Sequence, residues 1–188
     1  MGSFLTDGFP TQAEVAGEVY HLNTDYRTCI RIIQAMEDVN LTELEKQSIL
    51  LCLLYQEVPK DIPVAVEKAV LFLNCGEKKE IEGGERVYSF RQDDRYIFAA
   101  VDKVLQGRIS KGESVHWWEF VSAFMEMPED CVMSRILYYR SRKNCGKLTK
   151  EEREVWAKNR ELFELKEEQT REEQQKEALF LERLGRMP

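Results

Sequence analysis

The stretch Thr42-Glu43-Leu44-Glu45-Lys46-Gln47-Ser48-Ile49-Leu50-Leu51-Cys52-Leu53-Leu54-Tyr55 decides the fold class. Taken alone, the apolar run Ile49 to Tyr55 would serve as a buried strand or a buried helix. Thr42 with Glu45 three residues on forms a capping box, which satisfies two of the amide donors that open a helix and so selects helix. A helix apolar on all sides belongs at the centre of a bundle. The same logic extends in both directions along the chain.

Upstream, Asn23-Thr24-Asp25 offers N-cap oxygens to a helix carrying Tyr26, Ile30 and Ile33 on one face, with Cys29 and Met36 beside them, and Asn40-Leu41 ends it. Before that, Ala13 to Val15 and Val19 to Leu22 flank Gly17 and read as a small hairpin. Downstream, Pro59 to Pro63 is a turn feeding a third helix with Val66, Ala69, Val70 and Leu73 at helical spacing and Gly76 as its C-cap. The charged segment 77–86 with Gly83-Gly84 reads as the longest internal loop.

Ser89 with Gln92 forms a second capping box, opening a helix with the stripe Ile97, Ala100, Val101 and Val104 that Gly107 closes. Ser114 caps a fifth helix, in which Trp117, Phe120, Val121 and Phe124 form one stripe and Trp118 and Met125 lie on a neighbouring face. Pro128 at an N1 position begins a sixth, with Val132, Ile136 and Tyr139 on one side and Met133 and Leu137 on another. Thr149 with Glu152 is a third capping box, starting a helix expected to run to about Leu184, on the order of 50 Å at ~1.5 Å per residue. Val155, Trp156, Leu162, Phe163 and Leu165 can dock it on the bundle; Lys166 to Glu177 contains no apolar residue and must be solvated.

The expected fold is therefore all-α: a compact bundle of about six helices, a small N-terminal β-hairpin and a long charged C-terminal helix. The expected divisions are 1–22 for the arm with its hairpin, 23–148 for the bundle, and 149–188 for the last helix.

The chain has 188 residues, 43% hydrophobic and 32% charged, with a formal net charge of -7. An acidic field of this kind repels phosphate backbones and anionic membranes, which argues against a nucleic-acid or membrane partner. No stretch reaches the ~18 apolar residues of a membrane span. The start, Met1 to Thr6, shows no basic and apolar signal pattern, although it formally fits the short myristoylation string M-G-x-x-x-[ST], which chance or a cloning scar explains. A cytoplasmic location is the expectation. Cys29, Cys52, Cys75, Cys131 and Cys145 contain no C-x-x-C pair and read as free thiols in a reducing compartment. Neither His21 nor His116 lies near a cysteine pair, so no metal or cofactor site is expected.

The same residues argue against an enzyme. Asp93 and Asp94 fall in a helix first turn, where negative charge suits the macrodipole. His116 beside Trp117 and Trp118 has no nucleophile in a recognisable local motif, and no glycine-rich phosphate loop is present. Arg135, Arg140, Arg142, Lys143 and Lys147, interleaved with Tyr138 and Tyr139, make the one basic aromatic patch; a helix C-terminus attracting cations explains it more simply than single-strand binding.

In their order along the chain, several segments resemble the bacteriophage "gene product fifteen" family, encoded among the tail genes of phages of low-GC Gram-positive bacteria. They are Asn23-Thr24-Asp25-Tyr26-Arg27, Phe72-Leu73-Asn74-Cys75-Gly76, Tyr88-Ser89-Phe90 through Tyr96-Ile97-Phe98-Ala99-Ala100, His116-Trp117-Trp118-Glu119-Phe120, and Arg140-Ser141-Arg142-Lys143 followed by Leu148-Thr149-Lys150-Glu151-Glu152-Arg153. The resemblance spans about residues 14 to 165. It implies a tail-assembly chaperone that binds the tape-measure protein before tail-tube polymerisation.

On that expectation an apolar groove near Trp118, Met125, Met133 and Tyr138 would take amphipathic segments of the tape-measure protein, unless these four complete the protein's own core. A second apolar cluster at Leu179, Phe180 and Leu184 would support partner binding or a homo-oligomer through the C-terminal helix. The alternatives are a structural tail component retained in the virion and a regulatory or counter-defence protein that binds a host factor. Mass spectrometry of purified particles distinguishes the former, and a pull-down from uninfected lysate the latter.

Overall fold

The computed structural model describes residues 6–78 and 86–166. Strands β1 (Gln12–Val15) and β2 (Glu18–His21) pair antiparallel, with Val15 opposite Glu18 and Gln12 opposite His21. Ala16 and Gly17 between them both take positive φ, 51° and 83°. Two such residues form the tight turn whose twist matches that of the flanking strands. Past β2 the chain pairs with the end of a helix: the Asn23 N–H donates to the Leu54 carbonyl at 2.7 Å, and the Gln56 N–H to the His21 carbonyl at 3.0 Å. Val15 is buried with the helical side chains, so the N-terminal arm shares their core.

Helix α1 (Tyr26–Glu37) starts where the Asp25 carboxylate accepts the Arg27 N–H at 2.9 Å. It buries Tyr26, Cys29 and Ile32, with Ile30 and Ile33 half-buried. Helix α2 (Glu43–Leu54) carries the expected capping box, with the Thr42 N–H on the Glu45 carboxylate at 2.8 Å and the Glu45 N–H on the Thr42 hydroxyl at 3.3 Å. It buries Leu50, Leu51 and Leu54 but leaves Cys52 exposed. Being apolar all round does not place it at the centre: it packs against α1 on one side and α3 (Ile62–Leu73) on the other.

In α3 the buried face is Ala65, Ala69 and Phe72; of the expected stripe Ala69 is buried, Val66 and Leu73 pack partly against the core, and Val70 is exposed. Apolar residues around most of this helix left several faces available, and the one that is buried carries the small Ala65 and Ala69. Cys75 and Gly76 take φ of 53° and 87°, and the Gly76 N–H returns to the Leu71 carbonyl at 2.8 Å, confirming the C-terminal turn. The last carbonyls of α3 find partners elsewhere. Trp117 Nε1 donates to the Leu73 carbonyl and Trp118 Nε1 to the Phe72 carbonyl, both at 2.9 Å. One indole thus satisfies the Leu73 carbonyl that the helix end leaves open, and the other adds a second donor to the Phe72 carbonyl, which also accepts the Cys75 N–H at 3.0 Å.

Three helix starts differ from the sequence expectation. Helix α4 (Asp94–Val104) begins after Asp93 rather than at Ser89. The Ser89 hydroxyl closes a separate tight turn on the Arg91 and Gln92 N–H groups, and its own N–H donates to Asp93 Oδ2 at 2.9 Å. Helix α5 (Trp117–Met125) is capped by His116, not Ser114, whose hydroxyl donates to Asp25 Oδ2. Residues 115–117 pair with 24–26 as extended chain, through Tyr26 N–H to the Val115 carbonyl and Trp117 N–H to the Thr24 carbonyl, which delays the helix. Helix α6 (Val132–Asn144) is capped by Cys131, while the Pro128 carbonyl accepts from Cys131 N–H and the Ser134 hydroxyl in the preceding turn.

His116 caps α5 as a neutral imidazole. Its Nδ1 accepts the Trp118 N–H at 3.1 Å and its Nε2 lies 3.0 Å from the Pro10 carbonyl, which requires the proton on Nε2. Burial pushes its pKa below 6.5, outweighing the opposing pull of the Pro10 carbonyl and Glu119. Below pH 6.5 the unfolded chain then binds more protons than the folded one, so this contribution to stability is complete above pH 6.5 and is lost as the pH falls through the folded value. His116→Asn keeps a cap acceptor without the titration. Urea midpoints of the two chains, compared from pH 7.5 down to 5.5, should converge as the wild type loses its advantage.

The helix expected from Thr149 to Leu184 is broken. Its capping box is present, with the Thr149 N–H on Glu152 at 2.8 Å, but α7 ends at Lys158 (Lys150–Lys158) and a short α8 follows (Arg160–Phe163). Asn159 makes the break: its backbone departs from helical angles and its side-chain amide donates to the Val155 carbonyl. The bend turns Phe163 inward, 1% exposed, against the rings of Tyr139 and Trp156 with centroids 4.5 and 5.5 Å away. The expected continuation from 167 to Leu184 lies outside the described residues.

All five cysteines are free. Cys29 is fully buried, and desolvation, with smaller contributions from Asp25 and Cys75, pushes its thiol from 9.0 up to about 12. Cys52 and Cys145 are exposed. With a thiol-specific reagent at pH 8, Cys52 and Cys145 should react at least ~100-fold faster than Cys29, which opens only with the fold. Mass mapping of the labelled cysteines checks the order.

Candidate docking groove

Between α1 and α4 the surface opens into a shallow apolar hollow of about 340 Å³. Tyr26, Ile30 and Gln34, spaced four apart, supply the α1 wall; Asp94, Ile97 and Phe98 supply the α4 wall; Phe90, Ile109 and Phe120 form the floor, with Arg91 at one lip. Ring contacts hold the floor. Tyr26 lies parallel to Phe120 at 4.9 Å, and Phe90 sits 6.3 Å from both Phe120 and Trp117. Gln34 donates to the Phe90 carbonyl at 3.4 Å. Phe98 remains 45% exposed on the outer wall. The signal for it was present in the sequence: a large aromatic lying off the Ile97–Ala100–Val101–Val104 stripe has no place in α4's own core contact.

The residues expected to form a groove do not come together. Trp118 is 4% exposed, packed on Phe72, and Met133 is fully buried; both are core. Met125 is 78% exposed at the end of α5, and Tyr138 is half-exposed on α6, its hydroxyl donating to Glu152 at 2.7 Å with Arg142 over its ring. The reason is rotational. Helix α6 buries Met133, Ile136 and Arg140, seven residues apart end to end, and this face excludes Val132 and Tyr138. Leu179, Phe180 and Leu184 lie outside the described residues.

The basic patch is likewise dispersed, because three of its cations have intramolecular partners. Arg142 pairs with Glu152 at 3.0 Å, the Lys143 ammonium lies over the Trp156 ring, and Arg140 points inward. Arg140, 3% exposed, grips Asp93, 2% exposed, through Nη1 to Oδ2 at 2.6 Å and Nη2 to Oδ1 at 3.0 Å. Its Nε donates to the Phe163 carbonyl at 2.7 Å, and Nη1 also reaches the Val87 carbonyl at 3.2 Å. Asp93 is thus no solvated first-turn acid. One guanidinium joins α6, the start of α4, the segment entering it and the end of α8. Beyond that end, Gln92 pairs with both backbone groups of Lys166, accepting its N–H at 3.0 Å and donating to its carbonyl at 2.6 Å.

Among the described residues no group of three His, Cys, Asp or Glu is placed to hold a metal, and no helix is long and apolar enough to cross a membrane. What the α1–α4 hollow can do chemically is bury apolar side chains of another helix, with Arg91 and Asp94 offering a charge of each sign at one side. Residues 5–165 match the model of a family described as Bacteriophage Gp15 protein. No curated protein and no solved structure matches the chain.

Proposed function

Because this chain belongs to the bacteriophage Gp15 protein family, we propose that it is a tail-assembly chaperone, which holds amphipathic helices of the tape-measure protein in the α1–α4 groove until the tail tube forms. The observation that carries this reading is the groove itself, a partly open apolar hollow with an exposed Phe98 on one wall and Ile30 on the other. Helix-in-groove docking uses such a surface, taking apolar anchors at i, i+3 and i+4 from the partner. The net charge of -7 would keep a loaded complex dispersed. The function is one of binding, with no bond made or broken, in the host-cell cytoplasm where tails assemble.

Co-expression with the tape-measure protein tests it. The wild-type chain should raise the soluble yield of the tape-measure protein and co-purify with it. Phe98→Glu places a charge on the exposed groove wall and should reduce co-purification about tenfold, the effect of roughly 1.4 kcal/mol. Met125→Ala, away from the groove, should leave it unchanged. Retention of the tape-measure protein by the Phe98→Glu chain would defeat the groove assignment, and mass spectrometry of purified virions should not find the chaperone.

A further inference from the structure

We infer that the α1–α4 groove has a resident occupant, the chain's own segment Ala178-Leu179-Phe180-Leu181-Glu182-Arg183-Leu184, which seats in cis and is displaced when another helix binds. This rests on the groove being a helix-binding surface, as in the proposed function.

The point of departure comes first. Gln92 clamps both backbone groups of Lys166, so the chain enters its last stretch beside the first turn of α4. Asp94 lines both the hollow around Lys166 and the apolar groove, which are therefore neighbours. Phe98, the exposed groove wall, stands one helical turn beyond Asp94 on the same side of α4.

The length is sufficient. Residues 167–177 contain no apolar side chain. Even wound as a helix at ~1.5 Å per residue they reach on the order of 16 Å, and further if extended, which covers the distance from Gln92 along α4 to Phe98. A purely polar spacer is what a tether needs, since nothing in it competes for the groove.

The chemistry of the segment also fits. Read as a helix, Phe180, Leu181 and Leu184 fall on one face at i, i+1 and i+4, and Gly185 follows as a natural stop. That apolar cluster, alone at the end of a polar spacer, gains by leaving water, and the groove is an apolar surface within reach. Glu182 and Arg183 flank the anchors with one charge of each sign, complementing Arg91 and Asp94 at the lip.

Hydrogen exchange on the full-length chain tests the inference. Amides of 178–184 should exchange at least about tenfold more slowly than the unstructured rate. Leu181→Glu and Phe98→Glu, altering the two sides separately, should each abolish that protection while leaving Leu50–Tyr55 as slow as before. Phe98 is exposed enough that its replacement spares the fold. Unprotected amides at 178–184 in the wild type would overturn the inference, as would protection that survives Phe98→Glu. Protection that vanishes on dilution, with a dimeric mass by light scattering, would put a second copy in the groove and overturn cis occupancy. The two readings fail separately: persistent protection without tape-measure co-purification rejects the chaperone role, and the converse rejects the resident segment.

Discussion

Arg140→Met should lower the free energy of unfolding by about 3–5 kcal/mol, the usual cost of removing one partner from a buried ion pair. The expectation rests on what is left behind. Asp93 would keep a carboxylate at 2% exposure with only the Ser89 N–H on it, and the Phe163 carbonyl would lose its donor at 2.7 Å. Each orphaned buried polar group costs about 1–3 kcal/mol by itself, so the total is not an inflated sum of one contact. Methionine retains much of the volume of the arginine stem, which separates loss of charge from loss of packing. The double variant Asp93→Leu with Arg140→Met should recover a large part of the loss, because neutral groups of similar size no longer bury an unpaired charge. Opening the exposed Arg160–Glu164 pair is the control and should leave the urea midpoint almost unmoved. An Arg140→Met effect as small as that control would mean the pair is solvated.

Trp118→Ala should cost about 3–5 kcal/mol, the range for deleting a large buried aromatic. The indole is packed against Phe72 and His116, and its Nε1 supplies the hydrogen bond to the Phe72 carbonyl at the end of α3. The variant therefore creates a cavity and removes one of the two donors to that carbonyl at once. Urea denaturation followed by far-UV circular dichroism measures the loss, and Met125→Ala on the same helix, at a side chain 78% exposed, should stay within about 0.5 kcal/mol. The pair of variants decides between two uses of α5. If Trp118 belonged to a partner surface, its truncation would weaken binding and leave the midpoint alone.

Much of the local chemistry was legible. The capping boxes at Thr42 and Thr149, the Asp25 cap, the turn at Ala16-Gly17 and the glycine stops at Gly76 and Gly107 all form as their residues require. Each such signal acts within about four residues, the reach of one helical turn or one tight turn, so a single stretch of chain contains the whole interaction. From these the all-α class with its small hairpin followed directly. Ser114 misled because a hydroxyl can bond equally well to a distant acceptor, and Ser89 because its bond to the Gln92 N–H closes a turn that does not run on into α4; local spacing reveals neither outcome.

Burial was less legible where a helix had more than one apolar face. On α5 and α6 the sequence left several rotations available, and only the neighbours chose Trp118 and Met133 for the core while leaving Met125 and Tyr138 outside. The candidate groove moved for the same reason, from the α5–α6 side to the hollow between α1 and α4.

By itself, then, the sequence determined which segments are helical, where most of them stop and that the chain would bury one apolar core, because hydrogen-bond satisfaction and periodicity are properties of neighbouring residues. Tertiary structure alone decided that Arg140 would meet Asp93, that Phe163 would pack on Tyr139, and which aromatic would stay at the surface. Those outcomes depend on groups far apart in the chain, whose meeting becomes favourable only once the surrounding helices have excluded water from the space between them.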